Sequence, residues 1–371
     1  MNIILKTVYI MSNNIYLKKG LDLPINGTAA QNTKKVIVPD VVAVKPTDFR
    51  GLVPKLLVRE GDKVLAGTPV LADKMSQNIL FASPVSGTVA EVVRGEKRKL
   101  LEVRIKADEK QEYVDFGVKK VADMSAEQIK EALLAAGPWP ALVQRPYGII
   151  ANPEVKPKAI FVSAFSTAPL AANVEYALNG QLDNIQAAVD ALGKIAKVHV
   201  CVNAANESAT LFGKLQNVTL HTFSGKHPAG NVGVQIHHIA PIQKGEIVWT
   251  VSPVMLAAIG KLFTTGKYDV KRKIAVTGPK AVNPAYVEGY PGISIKDLKE
   301  YYNEGENLRF VSGDVLTGTN VGAEGFLGFF DNQVTILEEG NKYELLGWAK
   351  PFRCKLFSAS HTYFSWLTPN K

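Results

Sequence analysis

The chain has 371 residues, 46% of them hydrophobic and 21% charged, with 30 Gly and 20 Pro, the composition of a globular protein of two or three domains. A formal net charge of +9 invites an anionic partner, but the cations are spread thinly, with short knots at 94–99 and 267–273. No aromatic-studded basic helix accompanies them, so a solvated basic face is expected and nucleic acid is set aside as a partner.

Residues 1–40 read as an irregular N-terminal segment. Residues 1–10 lack the apolar core and cleavage site of a secretion signal, and Met11 would serve equally well as a start. From 41 to 106, β-branched runs alternate with Gly-Asp and Gly-Thr-Pro turns, as in Val58-Arg-Glu-Gly-Asp-Lys-Val64 and Ser83-Pro-Val-Ser-Gly-Thr-Val89. Turn signals at that spacing predict a small all-β unit.

A different texture begins near 107. Ser125 is an N-cap with Gln128 at the capping-box position and Gly137 as the stop, which predicts a helix over 125–136. The apolar runs 159–163 and 197–202 look like buried parallel strands on either side of a helical stretch at 173–192. That βαβ rhythm predicts an α/β layer over 107–256. The uncharged run 247–260 is interrupted by Ser252 and Pro253 and is shorter than the ~20 apolar residues of a membrane span. Any membrane role is therefore expected to come through partners. Residues 257–337 return to short strands with one helix at 294–302, a β-grasp-like pattern, and 338–371 read as the start of a further region.

Metal and nucleophile chemistry find little support. Cys201 and Cys354 lie far apart outside any CxxC pattern, which fits a reducing compartment and cannot by itself hold an iron–sulfur cluster. Of the clustered histidines, the adjacent His237 and His238 are read as strand neighbours facing opposite ways, and no thiol or carboxylate supports them at zinc spacing. His227, in His227-Pro-Ala-Gly230, is read as a turn residue. No metal ligands and no catalytic nucleophile are assigned.

The β unit resembles the barrel-sandwich hybrid of biotinyl and lipoyl carriers, and Asp73-Lys74 stands near the position of their modified lysine. The spacing to Ser83-Pro84 departs from theirs, so Lys74 is expected to be unmodified. A longer resemblance covers about 14–364. It is carried in order by Lys18-Lys-Gly-Leu-Asp-Leu-Pro-Ile25, Ser83-Pro-Val-Ser-Gly87, Arg94-Gly-Glu-Lys-Arg98, His227-Pro-Ala-Gly230, Ser312-Gly-Asp-Val-Leu-Thr-Gly318 and Glu344-Leu-Leu-Gly-Trp348. These motifs together resemble the A subunits of sodium-translocating NADH:quinone reductases. More distantly they resemble the C subunit of the Rnf complex and the flavin subunit of respiratory complex I.

The resemblance implies a multidomain α/β protein: a barrel-sandwich hybrid, a degenerate Rossmann-like layer and a β-grasp module of the soluble-ligand-binding type. It implies a peripheral position on the cytoplasmic side of the bacterial inner membrane, with other subunits, above all one integral to the membrane, as partners. NADH, FMN, riboflavin and an iron–sulfur centre would belong to those partners, and quinone would be the substrate. Family members continue beyond the last residues of this sequence, which would make its C-terminal region a truncated one.

In the flavin-bearing relatives, a glycine loop after the first helix cradles the phosphate. Here the segment reads Gly137-Pro-Trp-Pro-Ala-Leu-Val-Gln-Arg-Pro-Tyr147, and its prolines remove amide donors, so no FMN is expected on it. Trp139, Leu142, Arg145, Pro146 and Tyr147 are instead read as one wall of a quinone slot. Phe49, Arg50, Gly51 and Leu52 form a second candidate wall. The alternatives are a ligand-free scaffold that docks the membrane subunits and, further off, an acyl carrier.

Overall fold

The computed structural model describes residues 14–205, 210–305, 307–341 and 343–347. Cys354, Trp348 and most of the region expected at 338–371 lie outside them.

The N-terminal segment is not the irregular start expected from its composition. Strands β1 (Ile15–Leu17) and β2 (Ala30–Val36) join two sheets built by chain far downstream. β1 has only three residues and β2 is mostly polar, so each depends on a distant partner to be a strand.

Seven strands then form the barrel-sandwich: β3 (Val41–Val44), β4 (Pro54–Leu56), β5 (Lys63–Val64), β6 (Pro69–Asp73), β7 (Leu80–Ala82), β8 (Gly87–Arg94) and β9 (Leu100–Ala107). They make one sheet in the order β3-β9-β8-β5 and a second in the order β4-β6-β7. Aliphatic side chains of both sheets, among them Val42, Val70, Leu71, Val103 and Ile105, are buried in the core.

Helix α1 (Ala126–Ala136) carries the expected capping box, and Gly137 closes it in the left-handed conformation. The chain next forms a hairpin of β10 (Val143–Arg145) and β11 (Ile149–Ile150). Strands β12 (Ile160–Ser163), β13 (Val198–Asn203) and β14 (Thr219–Gly225) follow, with α2 (Val174–Ala177) and α3 (Leu182–Gly193) in the first crossover. The helical stretch expected at 173–192 is thus split, with Gly180 at φ +82° between the halves. Helix α4 (Val232–Ile239), β15 (Val248–Thr250) and α5 (Pro253–Thr265) complete this unit. His237 and His238 sit on α4 and not on a strand: Val232, Ile236 and Ile239 recur at helical spacing and pack against the sheet. The boundary drawn at 256 falls inside α5, which is apolar nearly all round and packs on α3. Gly260 permits that approach, since a β-carbon there would lie 1.7 Å from the Asn184 carbonyl oxygen.

The seven-stranded sheet has the order β1-β14-β13-β12-β15-β10-β11, parallel from β1 to β15 and antiparallel beyond. Its central strands β12, β13 and β15 bury both faces. Ile160 and Val162 point toward α1, α3 and α5, while Phe161 and Cys201 point toward α4. None of the helices among the described residues is long and apolar enough to cross a membrane.

The last unit contains β16 (Arg272–Thr277), β17 (Ala285–Gly289), β18 (Leu308–Ser312), β19 (Thr319–Asn320) and β20 (Gln333–Glu338), in the order β19-β18-β20-β16-β17-β2. The helix expected at 294–302 is a 3-10 helix, Ile295–Tyr301, started by Ser294.

Candidate functional site

Strand order β14-β13-β12-β15 reverses direction between β12 and β15, and in open α/β sheets ligands bind beyond the carboxyl ends of strands at such a point. A cleft of about 750 Å³ opens there. Ser163 ends β12 on one side, Thr250 ends β15 on the other, and the first residues of α4 and α5 form the floor. The β-grasp unit closes the far side with Gly313, Asp314, Phe330 and Asp331.

The loops at the cleft are tied together through backbone and small polar groups. Ser163 Oγ donates to the Gly230 carbonyl at 2.9 Å, and the Gly230 amide donates to Thr167 Oγ1 at 3.0 Å. Gly230 is required there: a β-carbon would lie 2.6 Å from the Thr167 nitrogen. Fully buried Gln235 locks the same junction by donating to Ser163 Oγ at 2.9 Å. Helix α4 then starts at Asn231, whose side chain does not cap it, and residues 231–234 of this helix start line the cleft. On the β-grasp side, Asp314 accepts from the Leu316 and Thr317 amides, and Asp331 accepts from Ser312 Oγ at 2.5 Å. Both carboxylates are thus engaged within their own loops.

Arg145 is the cation on this wall. It ends β10, paired with Val248 of β15, and its Nε is enclosed without a hydrogen-bond partner.

The other expected site residues divide. Trp139 and Leu142 are fully buried and line no cleft. Trp139 donates from Nε1 to the Ala151 carbonyl at 2.7 Å and meets Trp249 edge-on at 5.5 Å. An apolar segment between helix and sheet is drawn into the core, which corrects their reading as a quinone wall. Pro146 and Tyr147 are exposed on the β10–β11 turn. Phe49 is buried in an aromatic cluster with Phe81, Phe329 and Phe330, at 4.6 to 5.5 Å between centroids. It backs the cleft through Phe330 without entering it. Arg50 and Gly51 are exposed, and Leu52 is half-buried. The structure does bring the two candidate segments together, though on the outer surface: a β-carbon on Gly51 would lie 3.3 Å from Ile149 Cγ2.

Sequence reasoning missed the cleft's floor. Residues 230–234 and 313–314 are far apart in the chain, and only the strand order shows that both segments meet. His227 is indeed a turn residue beside the cleft, with Nδ1 3.2 Å from Thr167 Oγ1. The two motifs nearest it touch, since the His227 carbonyl accepts from the Leu21 amide and the His227 amide donates to Asp22. Among the described residues no group of three His, Cys, Asp or Glu is placed to hold a metal ion.

Comparison with known proteins then places the chain. Residues 15–108 match the NqrA N-terminal barrel-sandwich hybrid domain, 124–268 the NqrA second alpha/beta domain, and 273–323 the NQRA C-terminal domain. The A subunit of the Na(+)-translocating NADH-quinone reductase of Serratia proteamaculans is 38% identical over 367 residues, covering 96% of this chain and 80% of that protein. The chain belongs to the NqrA family, the A subunits of Na(+)-translocating NADH-quinone reductases. The family member of Hahella chejuensis is 35% identical with the same coverage of both chains, and that of Pseudomonas aeruginosa PAO1 is 38% identical over 90% of this chain and 75% of its own length. An NAD+-reducing [NiFe]-hydrogenase structure is a loose likeness, with a TM-score of 0.38 at 14% identity over 58% of this chain and 47% of its own. Membership of the NqrA family accounts for the six ordered motifs and for the three-part architecture.

Proposed function

We propose that this chain is the flavin-free, quinone-handling subunit of a sodium-translocating NADH:quinone reductase, held by the complex's other subunits at the cytoplasmic side of the membrane. The observation that carries the reading is Arg145, a guanidinium with an enclosed, unpartnered Nε on the wall of a cleft at the sheet's switch point. A volume of about 750 Å³ suits a quinone ring and part of its tail. Phe165 and Phe330 offer flat apolar surface, and the first amides of α4 favour the negatively charged reduced forms. NADH, FMN, riboflavin and the iron–sulfur centre are assigned to partner subunits, and the isolated chain is expected to be colourless and inactive.

Arg145→Ala removes a charge-assisted hydrogen bond of ~1.5–3 kcal/mol. Quinone reduction by the assembled complex should fall by roughly ten-fold to a hundred-fold, while electron transfer from NADH to an acceptor that bypasses quinone is spared. Wild-type quinone reduction in a fully assembled variant complex would overturn the reading and leave the scaffold as the function.

A further inference from the structure

Two β-hairpin tips from different units each expose a large side chain and are linked across the surface by one short segment of chain. Met75, in the β6–β7 turn, is 79% exposed, and Tyr147, in the β10–β11 turn, is 69% exposed. The segment 50–53 joins them into one face. The Val53 carbonyl accepts from the Lys74 amide at 2.7 Å, which ties this segment to the first tip. At its other end Arg50 Nη1 lies 3.9 Å from where a β-carbon of Gly148 would stand, which ties it to the second.

The same face is cationic. Arg50, Lys55 and Lys74 are exposed and enter no ion pair among the described residues. Lys55 only donates to Gln77 Oε1 at 3.0 Å. Asp73, at the end of β6, accepts from the Met75 amide at 3.1 Å and leaves the three cations in excess. The net charge of +9 acts in the same direction over longer range.

Apolar side chains on protruding tips have no groove of their own to fill, but they can enter a soft layer. Met and Tyr suit the boundary of a bilayer, and flanking Lys and Arg meet its phosphates. We infer that this face docks the protein onto an anionic phospholipid surface, with Met75 and Tyr147 entering the headgroup region and Arg50, Lys55 and Lys74 pairing with lipid phosphates. Lys74, at the position that resembles a carrier lysine, then serves as a lipid contact with a free amine.

The test is co-sedimentation of the full chain with vesicles of phosphatidylcholine, with and without one part in three of phosphatidylglycerol. Binding should favour the anionic vesicles by at least about ten-fold at low salt and vanish in ~0.5 M salt. Lys55→Glu with Lys74→Glu, and separately Met75→Ser with Tyr147→Ser, should each weaken it about ten-fold, with unchanged melting temperature because all four residues are exposed. Lys97→Glu with Arg98→Glu, on the exposed β8–β9 turn, should change it little. Equal binding to neutral vesicles, no binding to either, or an equal loss from the control pair would overturn the inference. So would patch variants that keep vesicle binding but no longer assemble with the other subunits, since the face would then belong to a polypeptide partner.

Discussion

His199 and His221 stand on adjacent parallel strands with Nδ1 and Nε2 2.8 Å apart, and the His199 ring stacks on Phe161 at 4.8 Å. Burial, the neighbouring His221 ring and Lys197 push the His199 pKa down to about 4 from its ordinary 6.5, and burial also lowers His221. Between those two values the unfolded chain takes up a proton that the folded one refuses. Stability is therefore whole above pH 6.5 and falls as the pH drops toward 4, by on the order of 2–3 kcal/mol for His199. Urea denaturation of His199→Gln and wild type at several pH values checks this: the variant should show the shallower acid loss. The pair's contact was not legible in the sequence, because residues 199 and 221 meet only through the β13–β14 register. Arg145 was legible as a candidate from the odd cationic, aromatic loop after α1. Trp139 from the same loop was misplaced, because an apolar side chain reads alike whether it lines a slot or fills a core.

At the scale of elements, α1 is the case in which local chemistry suffices. Ser125 Oγ accepts from the Gln128 amide at 3.2 Å, and Gln128 Oε1 accepts from the Ser125 amide at 2.8 Å. Ser125→Ala should cost about 1 kcal/mol in chemical denaturation, and Gln128→Ala less, because it leaves the serine cap in place. Loss of several kcal/mol on Ser125→Ala would mean that the residue supports the α1–β10 junction as well as the helix. Strands β1 and β2 are the opposite case. Their local sequences predict nothing, and they exist because Ile15–Leu17 pairs with 223–225 and β2 with β17. Helix α4 lies between. Two adjacent histidines obscured a helical spacing that the sheet makes decisive.

Over the whole molecule, one junction joins the barrel-sandwich to the β-grasp unit. Phe49 of the barrel-sandwich packs on Phe329 and Phe330, while Asp48 accepts from the Phe329 amide at 2.8 Å. Arg272 is buried beside them and donates to the Phe329 carbonyl at 2.6 Å. Burial pulls Arg272 down to about 10, opposed by Asp331, Tyr268 and Asp48, so it stays charged at neutral pH. Phe49→Ala should cost about 3–5 kcal/mol and split the calorimetric melt, with the barrel-sandwich unfolding ahead of the rest. A single, uniformly shifted transition would show that the units remain coupled without this ring. Because Phe330 also lines the cleft, the same variant should loosen one cleft wall.

The three-unit order, the capped first helix, the buried β12 and β13 and the family motifs all follow from short-range pattern, since periodicity and turn chemistry act over a few residues. So does the absence of a glycine cradle after α1. Tertiary structure alone decided which candidate residues share a site. It took Trp139, Leu142 and Phe49 inward, left Arg145 on the wall, and brought 230–234 and 313–314 to face it across some eighty residues of chain. The physical reason is that a cleft at a switch point is made by strand order, and strand order is a property of pairings that no single stretch of sequence contains.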